Sequence, residues 1–173
     1  MDDRTQRIKL LSRINRANAA APALLGQLSE VLGEPVQPSA LLPVLDAVQD
    51  AFRTGYQTAI KGGALAYRRM LPCSERSTVF RIVDCFASSL PAEEVFFLCR
   101  VAEDRGVVSL NLSVLLRHAA SLIRFDGDFL SAMSKNLRQG VLIDHNPDDQ
   151  EEAYEIIVWG ELWPLLVLAC DPK

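Results

Sequence analysis

From Gly140 to Gly160 the chain reads GVLIDHNPDDQEEAYEIIVWG, two β-prone runs separated by its most acidic segment. Val141, Leu142 and Ile143 lead in, and Tyr154, Ile156, Ile157, Val158 and Trp159 lead out. Branched and aromatic side chains pack well on a pleated surface, so this stretch predicts a β-hairpin. Its loop carries six carboxylates (Asp144, Asp148, Asp149, Glu151, Glu152 and Glu155) and no Lys or Arg. Such a loop stays in water or meets a cation.

The rest of the chain must supply a body for that hairpin. With 173 residues, 49% of them hydrophobic, it can bury one sizeable core, and its length favours a single domain. Within that domain the reading separates an N-terminal helical part, about residues 4–71, from a C-terminal part, about 74–171. No stretch approaches the about 18 apolar residues that span a bilayer, and the first residues lack the apolar run of a signal peptide. The expectation is a cytoplasmic protein with no membrane partner. Cys73, Cys85, Cys99 and Cys170 lie far apart with no CxxC pair, and Cys85 and Cys99 fall inside apolar runs, which predicts buried thiols.

Helical spacing dominates the first two thirds. Ile8, Leu11 and Ile14 predict a helix over residues 4–20, and Pro22 opens a second helix that carries Leu24, Leu25, Leu28, Val31 and Leu32 to a stop at Gly33. Ser39 caps a third, with the stripe Leu41, Leu45, Val48 and Phe52 running on to Ile60. Residues 75–88 read as a helix with Val79, Ile82, Val83 and Phe86 inward. Residues 91–105 read as another, although EVFFLCR also fits a strand. An extended piece at 107–112 precedes a helix from Ser113 to Leu122. After the turn FDGD at 125–128, Phe129, Leu130, Met133 and Leu137 predict a helix that Gly140 ends. Trp163 to Ala169 fits a final helix or a buried strand. The fold class is therefore α+β, a predominantly helical body of about six or seven helices with a small C-terminal antiparallel sheet or hairpin. The alternative is a nearly all-α chain.

Chemistry is harder to find in the residues. Counted from Asp144, the oxygen-bearing residues Asp144, Asn146, Asp148, Gln150, Glu152 and Glu155 occupy positions 1, 3, 5, 7, 9 and 12, the ligand spacing of a calcium loop. The match is partial: Asp149 stands where the turn glycine belongs, Glu151 stands at an inward apolar position, and Pro147 restricts the bend. His118 and His145 are the only histidines, and neither lies in an HExxH motif. No GxSxG elbow or phosphate-binding glycine loop is present, so no catalytic residue and no cofactor are assigned, and the chain is read as a binding protein before an enzyme.

Charge is unevenly distributed. The net charge is −4, yet Arg4, Arg7, Lys9, Arg13 and Arg16 lie in the first sixteen residues, whereas Gln139 to Pro172 holds eight acids and no Lys or Arg. The basic helix, with Arg68 and Arg69, makes a nucleic-acid-associated protein the runner-up. The favoured expectation is a small protein-binding module whose acidic surface covers a basic partner, as an inhibitor or immunity protein covers the cationic groove of a nuclease toxin. Asp144, Asp148, Asp149, Glu151 and Glu152 would supply charge and Tyr154 and Trp159 apolar anchors, with solubility and core packing as the plainer roles of the same residues.

Overall fold

The computed structural model describes residues 3–42, 46–62, 65–99, 107–146 and 153–171. Among them are six helices and a seven-stranded antiparallel sheet, an α+β fold whose sheet is larger than a hairpin. In chain order the elements are α1 (Asp3–Leu32), β1 (Leu41–Leu42), α2 (Asp46–Ile60), β2 (Ala66–Pro72), α3 (Arg76–Ser89), β3 (Glu94–Phe97), β4 (Val107–Asn111), α4 (Leu112–Arg117), α5 (Ala119–Asp126), β5 (Phe129–Ser134), β6 (Gly140–Asn146), β7 (Ala153–Trp159) and α6 (Trp163–Ala169). Spatially the strands run β1-β4-β3-β5-β6-β7-β2.

The predicted hairpin is β6–β7, in a register that pairs Gly140 with Trp159, Asp144 with Glu155 and Asn146 with Ala153. Alternation along these strands divides the interior in two. Val141, Ile143, Tyr154, Ile156 and Val158 enter a core shared with α3, α4, α5, α6 and the C-terminal end of α1. Leu142, Ile157 and Trp159 point to the opposite face, where Val48, Phe52, Tyr56 and Ala59 of α2 cover them.

Several expected helices are corrected, and the two-sided burial explains the chief ones. In β5, Leu130 and Ala132 face the larger core while Met133 and Phe129 face α2. A strand covered on both sides reads as a nearly continuous apolar run, so the helical spacing of Phe129, Leu130 and Met133 is coincidental and Gly140 opens a strand instead of ending a helix. The same holds for β3, where Val95 and Phe97 enter one core and Phe96 the other. Ala66–Pro72 is also a strand, pairing with β7 along its whole length.

At the N-terminal end, the two expected helices are one, with Pro22 inside it. The alanines on either side of the proline, strong helix formers, carry the helix across. The third helix starts at Asp46, because Leu41 and Leu42 pair with Val108 and Val107 of β4. Asn111, ahead of Ser113, caps α4, its Oδ1 accepting from Ser113 N–H at 2.9 Å. By contrast α3 follows its expected face, with Val79, Ile82, Val83 and Phe86 buried.

The cysteines do not all remain thiols. Cys85, exposed on α3, is bonded to Cys170 just after α6, with a Cα–Cα distance of 5.6 Å. Beside this bond, Asp171 accepts a hydrogen bond from Tyr67 Oη at 2.8 Å and an ion pair from Arg69. The segment after α6 is thus tied to both α3 and β2. No helix of the described residues is long and apolar enough to cross a membrane.

Candidate functional site

One end of the sheet gathers the described polar residues of the hairpin. The β6–β7 register puts Asp144 and Glu155 side by side on the face that carries α2. Asp128, in the turn before β5, reaches the same corner because β5 pairs with β6 from Phe129 opposite Asp144. Burial pushes the Asp144 carboxyl above its usual range, and the neighbouring Glu155 and Asp128 push it the same way against a smaller opposing effect of His145. Arg68 of β2 reaches Glu155 at 2.6 Å. Its charge is therefore already engaged, as is that of Arg69 on Asp171. Both arginines proposed for phosphate contact are held by carboxylates.

The opposite face of this corner carries His145. Sequence alone placed His145 in a loop open to water, but it is the penultimate residue of β6 and its side chain is 25% exposed. Its ring lies tilted on Tyr154 at 4.7 Å, and Tyr154 in turn meets the Phe80 edge from α3 at 5.6 Å. Nε2 is 3.4 Å from the Sγ of Cys73, which begins a 3-10 turn, Cys73–Glu75, leading into α3. Nδ1 is 3.8 Å from Asp128 Oδ1. The His145 N–H also donates to the Asp128 carbonyl at 2.7 Å, locking the two backbones together. Asp128 adopts φ +84°, a conformation uncommon for any residue other than glycine.

The expected site residues separate accordingly. Asp144 and Glu155 are brought together. Asp148, Asp149, Gln150, Glu151 and Glu152 lie outside the described residues, as does the side chain of Asn146. Tyr154 and Trp159 are 6% and 3% exposed, so both rings serve the core and neither is offered to a partner. Trp159 meets Phe52 edge-on at 5.0 Å. The calcium-loop spacing falls on strands: Asp144 and Asn146 belong to β6 and Glu155 to β7, where a calcium loop is flanked by helices. Among the described residues no group of three or more His, Cys, Asp or Glu side chains is placed to hold a metal ion.

Sequence reasoning missed Asp128 and Cys73. The one local signal was PCSERS, a break and helix start that places Cys73 just ahead of α3. Their proximity to His145 follows only from strand register. No protein-family model, curated protein or solved structure matches the chain.

Proposed function

We propose that the chain is a protein-binding module that presents the acidic end of the β6–β7 hairpin to a basic protein, in the manner of an inhibitor or immunity protein covering the cationic groove of a nuclease toxin. The observation that carries this reading is the grouping of Asp128, Asp144 and Glu155 at one corner, where burial and mutual repulsion hold the Asp144 carboxyl above its usual range. An incoming Lys or Arg relieves that repulsion, and carboxylates so arranged both steer a cationic partner and occupy positions made for phosphate. The sequence between Asn146 and Ala153 adds Asp148, Asp149, Glu151 and Glu152 to the same connection. Arg68 sets the local limit, since its pairing with Glu155 leaves Asp144 and Asp128 as the carboxylates for a partner.

The disulfide between Cys85 and Cys170 bears on the compartment, because such bonds persist where thiols are oxidised and are rare in the cytosol. It favours an oxidising setting over the cytoplasmic one expected from the sequence.

Affinity capture on the immobilised chain, followed by mass spectrometry, tests the reading. The expected result is a basic protein that is recovered at low salt, released by added salt and lost with Asp128→Asn/Asp144→Asn. Capture that is indifferent to both salt and these substitutions contradicts it.

A further inference from the structure

His145 is the one residue of this corner that acidic partner binding does not use, and its contacts define a second chemistry. We propose that Cys73 is a reactive thiol, with His145 as its base and Asp128 as a positioning residue, that exchanges with small disulfides to form a mixed disulfide.

Three observations carry this. The first is the chain of contacts itself: Cys73 Sγ to His145 Nε2 at 3.4 Å, and His145 Nδ1 to Asp128 Oδ1 at 3.8 Å. A nucleophile beside a base, with a third group orienting the base, is the arrangement that activates a thiol, and such contacts are often long before a substrate is present. Asp128 lies on the Nδ1 side of the ring, and a proton held on that side leaves Nε2 to accept from the thiol.

The second observation is how firmly the ring is held. Tyr154 lies against one side of it and the backbone bond from His145 N–H to the Asp128 carbonyl fixes the carboxylate-bearing residue. Asp128 keeps its left-handed backbone, φ +84°, immediately after Gly127 at φ +78°. An aspartate in that conformation is strained relative to glycine, and it is this turn that brings its carboxylate to the histidine.

The third is the fate of the other cysteines. The chain has four. Cys85 and Cys170 are bonded to each other, and Cys99 is 3% exposed with its Sγ donating to Asp126 Oδ1 at 2.9 Å. Cys73 is half-buried and is the one cysteine outside the disulfide that reaches the surface. A disulfide formed there has no neighbouring surface thiol of the same chain to displace it.

The exchange balances without a further reagent. Nε2 of His145 takes the Sγ proton, and the Cys73 thiolate attacks one sulfur of the small disulfide. The new Sγ–S bond forms as the old S–S bond breaks, and the departing thiolate takes the proton from the imidazolium. Cys73 is oxidised to the disulfide level and half of the small molecule is reduced to its thiol. The charged and titratable groups around the pair are Asp128 from the turn before β5, Tyr154 from β7, Asp144 next to His145 on β6, and Arg76 of α3, whose guanidinium lies over Phe80 at 5.5 Å.

The test is the rate at which the full chain, with its disulfide intact, reacts with dithiobis(nitrobenzoate) across pH, followed by mass spectrometry after incubation with glutathione disulfide. One thiol per chain should react, on a profile that levels off below the range of an unassisted thiol, about pH 8.5. His145→Gln should slow the reaction about tenfold at about pH 6 and return the profile to the ordinary range. Asp128→Asn should move the profile part of the way. Cys73→Ser should abolish the adduct, and Cys99→Ser should keep it. An adduct that survives Cys73→Ser, or a profile identical in the wild type and a His145→Gln variant with an unchanged urea midpoint, overturns the proposal.

Discussion

The indole of Trp159 occupies the space that a side chain at Gly55 would need. Gly140, its register partner on β6, lacks a side chain for the same reason, so the ring lies between a helix and a strand that both give way to it. Phe52 closes on its edge at 5.0 Å. This contact seats α2 on the sheet.

Replacing Gly55 by alanine should therefore destabilise the fold. In an ordinary helix interior the change gains about 1 kcal/mol. Here the new methyl meets a ring that is 3% exposed, and overpacking costs about 1–3 kcal/mol. The expected net effect is a loss of up to about 2 kcal/mol, read as a lower urea midpoint. A higher midpoint would show that α2 is not seated on Trp159.

Breaking the Cys85–Cys170 bond should cost about 2–5 kcal/mol, since it closes a long loop, with a sequence separation of 85. Urea unfolding with and without reductant measures this. The wild type should lose stability when reduced, while a Cys85→Ser/Cys170→Ser variant should be weaker and indifferent to reductant.

Arg69→Met should remove the cation beside an Asp171 side chain that is only 7% exposed, while Tyr67 continues to donate to the carboxylate. Arg69 itself is 30% exposed, so the loss should lie between the exposed and buried limits, about 2 kcal/mol. Asp171→Asn keeps an acceptor for Tyr67 and should cost less. Equal midpoints for the two variants and the wild type would remove this tie from the account.

Asp144 supplies a pH signature. Because its folded-state pKa is raised, the folded chain holds a proton there that the unfolded chain has already released, and stability falls as pH rises through that interval. Asp144→Asn should accordingly raise the urea midpoint at neutral pH, with the advantage shrinking toward about pH 3 as the wild-type carboxyl becomes protonated. The same variant should weaken partner capture. A substitution that strengthens the fold and weakens binding marks a carboxylate kept for a partner. An Asp144→Asn variant less stable than the wild type at neutral pH would reverse the sign of the argument.

Part of this architecture was legible in local composition and spacing. The β6–β7 hairpin followed from its branched and aromatic runs, and α3 from the spacing of Val79, Ile82, Val83 and Phe86. Strand β5 was not, because the cluster under α2 covers the face that would otherwise show alternating polar residues, and EVFFLCR left β3 open between helix and strand for the same reason. The carboxylates of the corner were visible as composition. Their pairing was not: Asp128 lies sixteen positions before Asp144 and Cys73 lies 72 before His145, so only register brings them together. Trp159 and Tyr154 carried the aromatic signal of a binding anchor and the β-propensity of a core strand at once, and their burial decides for the core.

The most direct test of the acidic corner is an amide-resolved NMR titration of the chain with the basic protein recovered by capture. Shift changes should concentrate at Asp128, Asp144, Glu155 and the residues joining β6 to β7, and should fade with added salt. Changes confined to α1, with that corner unmoved, would contradict the account.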